Sequence, residues 1–237
     1  MNLEKLQDLS FRSFLKTFSL REVSADKMLN KAKGPVWHKK HKKAGIIPKG
    51  LRGVDKSATW GKSEYDGWVY GHGCFSIVVH SRKKAFLGVF KYIPNCAYEA
   101  KRMFEEVKQF GGLFRKVFMD GKADSLKLFS DMREMGMTLI TSPRKNRNED
   151  SSPERREMLE FLSRPSVKRE YRKRSTYVEP MQGVVKDIFD LDVCWMRGDS
   201  NNRWLFAAMG VCVQIAQWDA ARRKTSTWAI KEAVLNQ

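Results

Sequence analysis

The sequence of 237 residues has few cysteines, no long apolar run and no excess of acids. Its four cysteines form no C-x-x-C pair, so we predict neither a disulfide framework nor a zinc ribbon. The longest apolar run, Trp204 to Val213, is far shorter than the roughly 20 residues that span a membrane. The amino terminus also lacks the apolar core of a signal peptide. We therefore expect a cytoplasmic protein that does not associate with membranes.

Basic residues are abundant instead. The chain has 45 Lys and Arg against 27 Asp and Glu, a formal net charge of +18. The segment from Lys31 to Lys62 contains ten of the basic residues and one acid, Asp55. A composition that is 42% hydrophobic is enough to bury a core and excludes disorder for most of the chain. Because clustered Lys and Arg release counterions when they meet phosphates, we expect nucleic acid as the partner.

The hydrophobic pattern predicts one large α/β domain. Residues 3–18 have the spacing of an amphipathic helix, which either covers a sheet or pairs with a second copy. The next predicted elements are strands at 58–60, 67–70, 75–79 and 86–90, a helix at 97–110 closed by Gly111-Gly112, a strand at 116–120, a helix at 125–134 and a strand at 138–141. The four early strands predict an antiparallel meander, and the strand, helix, strand order that follows predicts parallel pairing. Residues 144–174 read as an exposed basic excursion, and helices are predicted at 176–190 and 203–218.

Three carboxylates stand out as candidates for metal-dependent chemistry: Asp26, Asp120 and Glu179. Carboxylates supply the hard oxygen ligands that two divalent metals need for phosphodiester chemistry. Asp120 ends a predicted strand, where ligands of such sheets bind. The other two also have structural interpretations. Asp26 fits a turn or cap, and Thr176-x-x-Glu179 has the pattern of a capping box.

Several segments resemble the DDE transposases of bacterial insertion sequences. The resemblance is carried by Asp26 through Lys40, which includes Gly-Pro-Val-Trp-His-Lys-Lys, by Asp55–Ser63 and by Gly67–Gly71. It continues through Val117–Gly121 and through Val178–Phe189. Tyr171, Arg174, Glu179 and Lys186 follow the family's Tyr, Arg, Glu, Lys signature, with four residues instead of three between Arg174 and Glu179.

The resemblance implies a ribonuclease H-like fold: an α/β mixed sheet of a three-strand antiparallel meander plus parallel strands, flanked by helices. It implies that Asp26, Asp120 and Glu179 are the catalytic residues and bind Mg²⁺, for which Mn²⁺ substitutes. It also implies DNA contacts, which we assign to Arg174 and Lys186 near the scissile phosphate and, on the basic tract, to Lys39, Lys40 and Lys62. The implied partners are transposon inverted repeats and target DNA, with a homodimer in the synaptic complex and a nucleoid-associated location.

The expected domain organisation places an amino-terminal helix at 1–22, the catalytic domain at 23–218 with the basic excursion at about 144–170, and a carboxy-terminal tail at 219–237. Two other functions stay open. A catalytically decayed remnant would keep the fold and the charge but act only as a DNA-binding protein. A ribonuclease H-like nuclease would share the catalytic residues but would not transfer strands.

Overall fold

The computed structural model describes residues 2–63, 66–81, 84–110, 112–144 and 152–231. Its helices are α1 (Leu3–Thr17), α2 (Lys39–Lys43), α3 (Glu99–Gln109), α4 (Leu126–Glu134), α5 (Pro153–Ser163), α6 (Pro165–Tyr171), α7 (Lys173–Phe189) and α8 (Asp199–Arg222). Its strands are β1 (Glu22–Lys31), β2 (Thr59–Ser63), β3 (Gly67–His80), β4 (Ala85–Pro94), β5 (Lys116–Phe118) and β6 (Thr138–Ile140). No helix among the described residues is long and apolar enough to cross a membrane.

The strands form one mixed sheet, as the sequence predicts. β1 lies at its centre, antiparallel to β3 and parallel to β5, and β6 extends the parallel side. The predicted strands at 67–70 and 75–79 are one continuous strand, β3. Its pairing with β1 runs without a break from Gly71 to His80, through the residues between the two predicted strands. The other edge of β3 pairs first with β2 and then with β4. The arrangement is the predicted ribonuclease H-like α/β fold, with helices on both faces.

Each face of the sheet has its own hydrophobic core. Val23 and Ala25 of β1 point to one face, where they pack with α1, α3 and α4. Met28 points to the other face, where it packs with α7 and α8. This period of two is what a strand buried on both sides requires. Side chains on β1 therefore alternate between the α3 face and the α7 face, which determines the neighbours of Asp26 and Lys27.

Helix α1 covers the sheet, one of the two roles that its pattern allows. Phe11 and Phe14 are fully buried in the core, and Phe14 stacks on Trp218 of α8 at 4.4 Å between ring centroids. Gln7 accepts a hydrogen bond from the amide of Phe90 at 2.8 Å, which ties the helix to β4. Helix α1 is therefore part of the main hydrophobic core.

The interpretation of residues 144–174 as an exposed excursion is wrong for the part that the structure describes. Residues 153–171 form α5 and α6, and Met158, Leu162 and Val167 are buried against Phe118 and Ile140. Residues 145–151 lie outside the described residues, as does Gly111 of the predicted Gly-Gly helix end. The many charged residues of this segment made the helical spacing of its few apolar residues hard to recognise in the sequence.

Glu179 does not belong to a capping box. Helix α7 begins at Lys173, so Thr176 lies inside the helix and donates to the carbonyl of Arg172 instead of capping its start. Pro180 also lies within the helix. The continuous helix therefore carries both Arg174 and Glu179, which brings them to the same crevice.

Candidate metal centre

A crevice opens where the parallel pairing of β1 and β5 stops. The last paired residues are Ser24 and Phe118. Asp26 follows two residues further along β1, and Asp120 follows two residues beyond Phe118. Because the two strands are parallel, both acids lie just beyond the point where their pairing ends, Asp26 still within β1 and Asp120 after β5, which is where ligands of such sheets bind. The crevice encloses about 670 Å³ and is lined by both acids and by residues of α7.

Three carboxylates converge at this crevice: Asp26 and Asp120 from its lining, and the buried Glu99 beside them. Asp26, Glu99 and Asp120 each place one oxygen within 4.8 Å of the others. Glu99, the first residue of α3, was not among the residues predicted for the site. An acid at the start of a helix is common for reasons of helix stability alone, so the sequence has no signal that singles it out. Only the packing of α3 against the sheet brings it to the two aspartates.

Two lysines neutralise part of this negative charge. Lys122 places its ammonium 3.4 Å from Glu99 and 3.6 Å from Asp120. Lys27 lies 3.8 Å from Glu99 and donates to the carbonyls of Asn95 and Ala97. Burial lowers the pKa of Lys27 from its ordinary value. For Lys122, burial also disfavours the charge, but the carboxylates outweigh it and raise its pKa.

The carboxylates fit a divalent cation. Burial, together with the charges of Asp120 and Asp26, raises the pKa of Glu99 to about 7. Burial likewise raises the pKa of Asp26, against the opposing effect of Arg174. Glu99 Oε2 is buried and has no hydrogen-bond partner among the described residues. A buried oxygen without a donor, between two other carboxylates, suits a hard cation such as Mg²⁺ or Mn²⁺.

Glu179 reaches the same crevice but is separated from the three carboxylates by Arg174. The guanidinium donates to Asp26 Oδ2 at 2.9 Å and to Glu179 Oε1 at 2.7 Å. Arg174 therefore connects two of the predicted catalytic acids and occupies the space between them. Tyr171, from the same signature, also lines the crevice, and burial raises its pKa.

The loop that carries Asp120 is held by hydrogen bonds. Thr141 donates to the carbonyl of Asp120 at 2.6 Å, and the carboxylate of Asp120 accepts from the amide of Lys122 at 2.9 Å. The side chain of Arg144 donates to the carbonyls of Gly121 and Lys122. These contacts orient the Asp120 carboxylate toward the crevice before any ligand arrives.

The residues predicted to contact DNA divide into two groups. Arg174, Lys186 and Lys62 line the crevice. Lys39 and Lys40 lie outside it, on α2, where the Lys39 ammonium lies 2.9 Å from the ring centroid of Trp68. Both lysines are exposed. The positive surface therefore extends from the crevice along the basic tract.

The aromatic residues of the basic tract have mixed roles. Trp37 and Tyr70 are buried and form a small core with Ala32 and Ala58. Trp68 is 56% exposed, and the Lys39 ammonium covers one face of its ring. Tyr65 lies outside the described residues. Most of these aromatics thus stabilise the tract, and Trp68 is the described one that faces solvent most.

Comparison with known proteins supports the fold. The chain matches no protein-family model and no curated protein sequence. Among solved structures it is similar to a chain of the piggyBac transposase synaptic complex with hairpin DNA, determined by cryo-EM, with a TM-score of 0.53 and 12% sequence identity. The match covers 91% of this chain and 51% of that chain, so the chain spans about half the length of that transposase. The chain therefore has a transposase-like fold.

Proposed function

We propose that the chain is a DNA transposase of the DDE type, similar to those of bacterial insertion sequences. The observation that carries the proposal is the convergence of Asp26, Glu99 and Asp120 beside a crevice that Glu179 and Lys186 also line. The fold that the chain shares with a transposase solved with hairpin DNA supports DNA as the partner. A homodimer in a synaptic complex is part of the same proposal.

In this proposal Asp26, Glu99 and Asp120 would hold a divalent cation. Glu179 would join them as a further carboxylate ligand once Arg174 pairs with a DNA phosphate instead. Divalent cations, Mg²⁺ or Mn²⁺, supply activation of the attacking oxygen and stabilisation of the leaving oxygen. Lys186 and Arg174 position the phosphodiester by charge-assisted hydrogen bonds. Lys62, which also lines the crevice, contacts the same DNA strand.

The reaction has two parts. In the first, a water oxygen bonds to phosphorus while the bond from phosphorus to the 3′ oxygen breaks, which leaves a 5′-phosphate and a 3′-hydroxyl that has received a proton from the water. In the second, the 3′-hydroxyl oxygen attacks a phosphodiester of target DNA, and the displaced target 3′ oxygen receives the proton. The first part hydrolyses one ester bond with one water molecule, and the second exchanges one ester bond for another.

One observation favours the second candidate, a DNA-binding remnant without catalysis. Arg174 pairs with both Asp26 and Glu179, so Glu179 does not reach the other carboxylates in this state. If that pairing is permanent, the basic surface binds DNA but the site does not complete. The two candidates differ in metal binding and cleavage.

The test compares the wild-type chain with Asp120→Asn and, as a matched charge control, Asp192→Asn, whose side chain is exposed. Calorimetry with Mn²⁺ should show binding that Asp120→Asn weakens at least about tenfold and that the control keeps. Incubation with supercoiled plasmid and a labelled duplex bearing a free 3′-hydroxyl should give nicking and a joined product. Nicking without joining would indicate a nuclease, and DNA binding without Mn²⁺ binding would indicate the remnant.

A further inference from the structure

A second cavity lies at the opposite end of β1 from the metal centre. It encloses about 600 Å³ between the starts of β1 and β5, the end of β3 and the amino-terminal part of α7. Four cationic side chains and one carboxylate, Glu22, line it; the cations are Arg21, Arg115, Lys116 and Lys173. The crevice of the metal centre differs, since four carboxylates line it together with five cations. The cavity is therefore suited to an anion.

Its two arginines are adjacent and lack ionic partners. The amide of Arg115 donates to the carbonyl of Arg21 at 2.8 Å, which places the two residues side by side where β1 and β5 begin. Both are exposed, and neither forms an ion pair with any residue that the structure describes. The lysines differ, because Lys173 pairs with Glu22 at 2.9 Å and Lys116 pairs with Glu170 at 2.8 Å. Two guanidinium groups are thus left to meet a ligand.

A buried histidine at the cavity has one ring nitrogen without a hydrogen-bond partner among the described residues. His80 is 1% exposed and lines the cavity, and its Nε2 lies 2.8 Å from Ser24 Oγ. Its Nδ1 has no hydrogen-bond partner within the described ranges. When the Ser24 hydroxyl donates to Nε2, Nδ1 carries the ring proton and is a donor. In that tautomer a buried donor is left unpaired, a cost that an acceptor atom of a ligand in the cavity would remove.

We propose that this cavity binds phosphate groups of the DNA backbone, at a site separate from the cleaved phosphodiester. Guanidinium forks match the geometry of phosphate oxygens, and the neutral His80 adds a directed donor without charge. The proposal rests on the proposed function in that it takes the ligand to be the same DNA.

Two elements connect this cavity to the metal centre. Helix α7 contributes Lys173 and Tyr177 to the cavity, and Arg174 and Glu179 to the crevice. Strand β1 contributes Glu22 to the cavity and Asp26 to the crevice, and four residues of strand span about 13 Å. A DNA strand that enters the crevice can therefore place nearby phosphates at Arg21 and Arg115. Contacts at both ends would hold the scissile phosphodiester in register.

The experiment measures DNA affinity as a function of salt in EDTA, so that metal chemistry does not contribute. The probe is a fluorescent duplex of mixed sequence. The double variant Arg21→Gln/Arg115→Gln is compared with Arg222→Gln/Arg223→Gln, which removes the same charge from arginines already paired with Asp219. The slope of log affinity against log salt should become shallower by about 1.8 in the first variant, for two lost phosphate contacts. A slope equal to that of the control variant would overturn the proposal.

A second measurement uses the wild-type chain and does not depend on the variants folding. The ¹⁵N resonances of the His80 ring are followed while duplex DNA or inorganic phosphate is added. A shift of Nδ1 with DNA at micromolar concentration, and with phosphate only far above that, supports the site. Equal responses to both would indicate a site for small anions and overturn it.

Cleavage of plasmid by the wild-type chain with Mn²⁺ is measured in parallel. If the wild-type chain does not cleave but the salt slope of Arg21→Gln/Arg115→Gln changes, the proposed function alone is refuted. If the wild-type chain cleaves and that slope is unchanged, the second site alone is refuted.

Discussion

Glu99 places a carboxylate oxygen within 4.8 Å of one from Asp26, although one residue starts α3 and the other lies in the middle of β1. Such a separation between buried acids is unfavourable unless protons or cations neutralise them. Lys27 and Lys122 supply part of the compensation. A divalent cation would supply the rest.

Replacement of Glu99 by Gln should weaken Mn²⁺ binding at least about tenfold, because it removes one carboxylate and keeps the shape of the side chain. Without metal, the same variant should be at least as stable as the wild type, since a buried acid beside two others is lost. Calorimetry and chemical denaturation measure the two effects. Glu134→Gln, at an exposed position, is the control. Unchanged Mn²⁺ affinity in Glu99→Gln would exclude Glu99 as a ligand.

Replacement of Arg174 by Gln should change metal binding and DNA binding in opposite directions. The Arg174 guanidinium competes with a cation for Asp26 and Glu179, so its removal should raise Mn²⁺ affinity. The loss of a cation that reaches phosphate should lower DNA affinity. Calorimetry and fluorescence anisotropy report the two quantities. Arg172→Gln, the exposed neighbour, should leave Mn²⁺ affinity unchanged, and a parallel fall of both affinities in Arg174→Gln would contradict the competition.

Replacement of Arg155 by Met should destabilise the fold by about 3–5 kcal/mol, because it leaves the fully buried Asp124 without its guanidinium. Arg155 donates to both oxygens of that carboxylate, with one contact at 2.8 Å. The exposed pair of Arg133 and Glu157 is the comparison, and Arg133→Met should cost less than about 1 kcal/mol. Urea denaturation measures both. Equal small losses would show that the buried pair adds little.

His80 should make the fold less stable in acid. Burial, with a smaller effect of Lys173, lowers the pKa of His80 to about 3, whereas the unfolded chain has the ordinary value of about 6.5. The unfolded state therefore binds the proton first, and stability is lost as pH falls from about 6.5 toward 3. Between pH 6.5 and 4.5 the loss is about 2.3 kcal/mol. Unfolding of wild type and His80→Gln at both pH values checks it, with exposed His38→Gln as control; identical pH dependence in all three would contradict it.

Much of the fold could be predicted from the sequence, because period-two and period-3.6 patterns depend on local geometry. The antiparallel pairing of β2, β3 and β4, the parallel crossover from β5 through α4 to β6 and the position of Asp120 at a strand end are all present, although the predicted strands at 67–70 and 75–79 are one strand. The hydrophobic pattern did not predict the helices in a segment rich in charged residues. Residues 153–171 are rich in Lys, Arg and Glu, and the few apolar positions that α5 and α6 bury did not stand out.

The sequence by itself determined the α/β class, the basic surface and the position of Asp120 at a strand end, since these follow from composition or from strand order, whereas Asp26 was predicted through the family resemblance of its segment. Only the tertiary structure decided that Glu99 joins them, that Arg174 separates Glu179 from them, and that Arg21, Arg115 and His80 enclose a second cavity. Those relationships depend on the packing of helices against a sheet across long stretches of chain. No local spacing encodes such contacts, because a helix start or a lone histidine looks the same in sequence whatever it packs against.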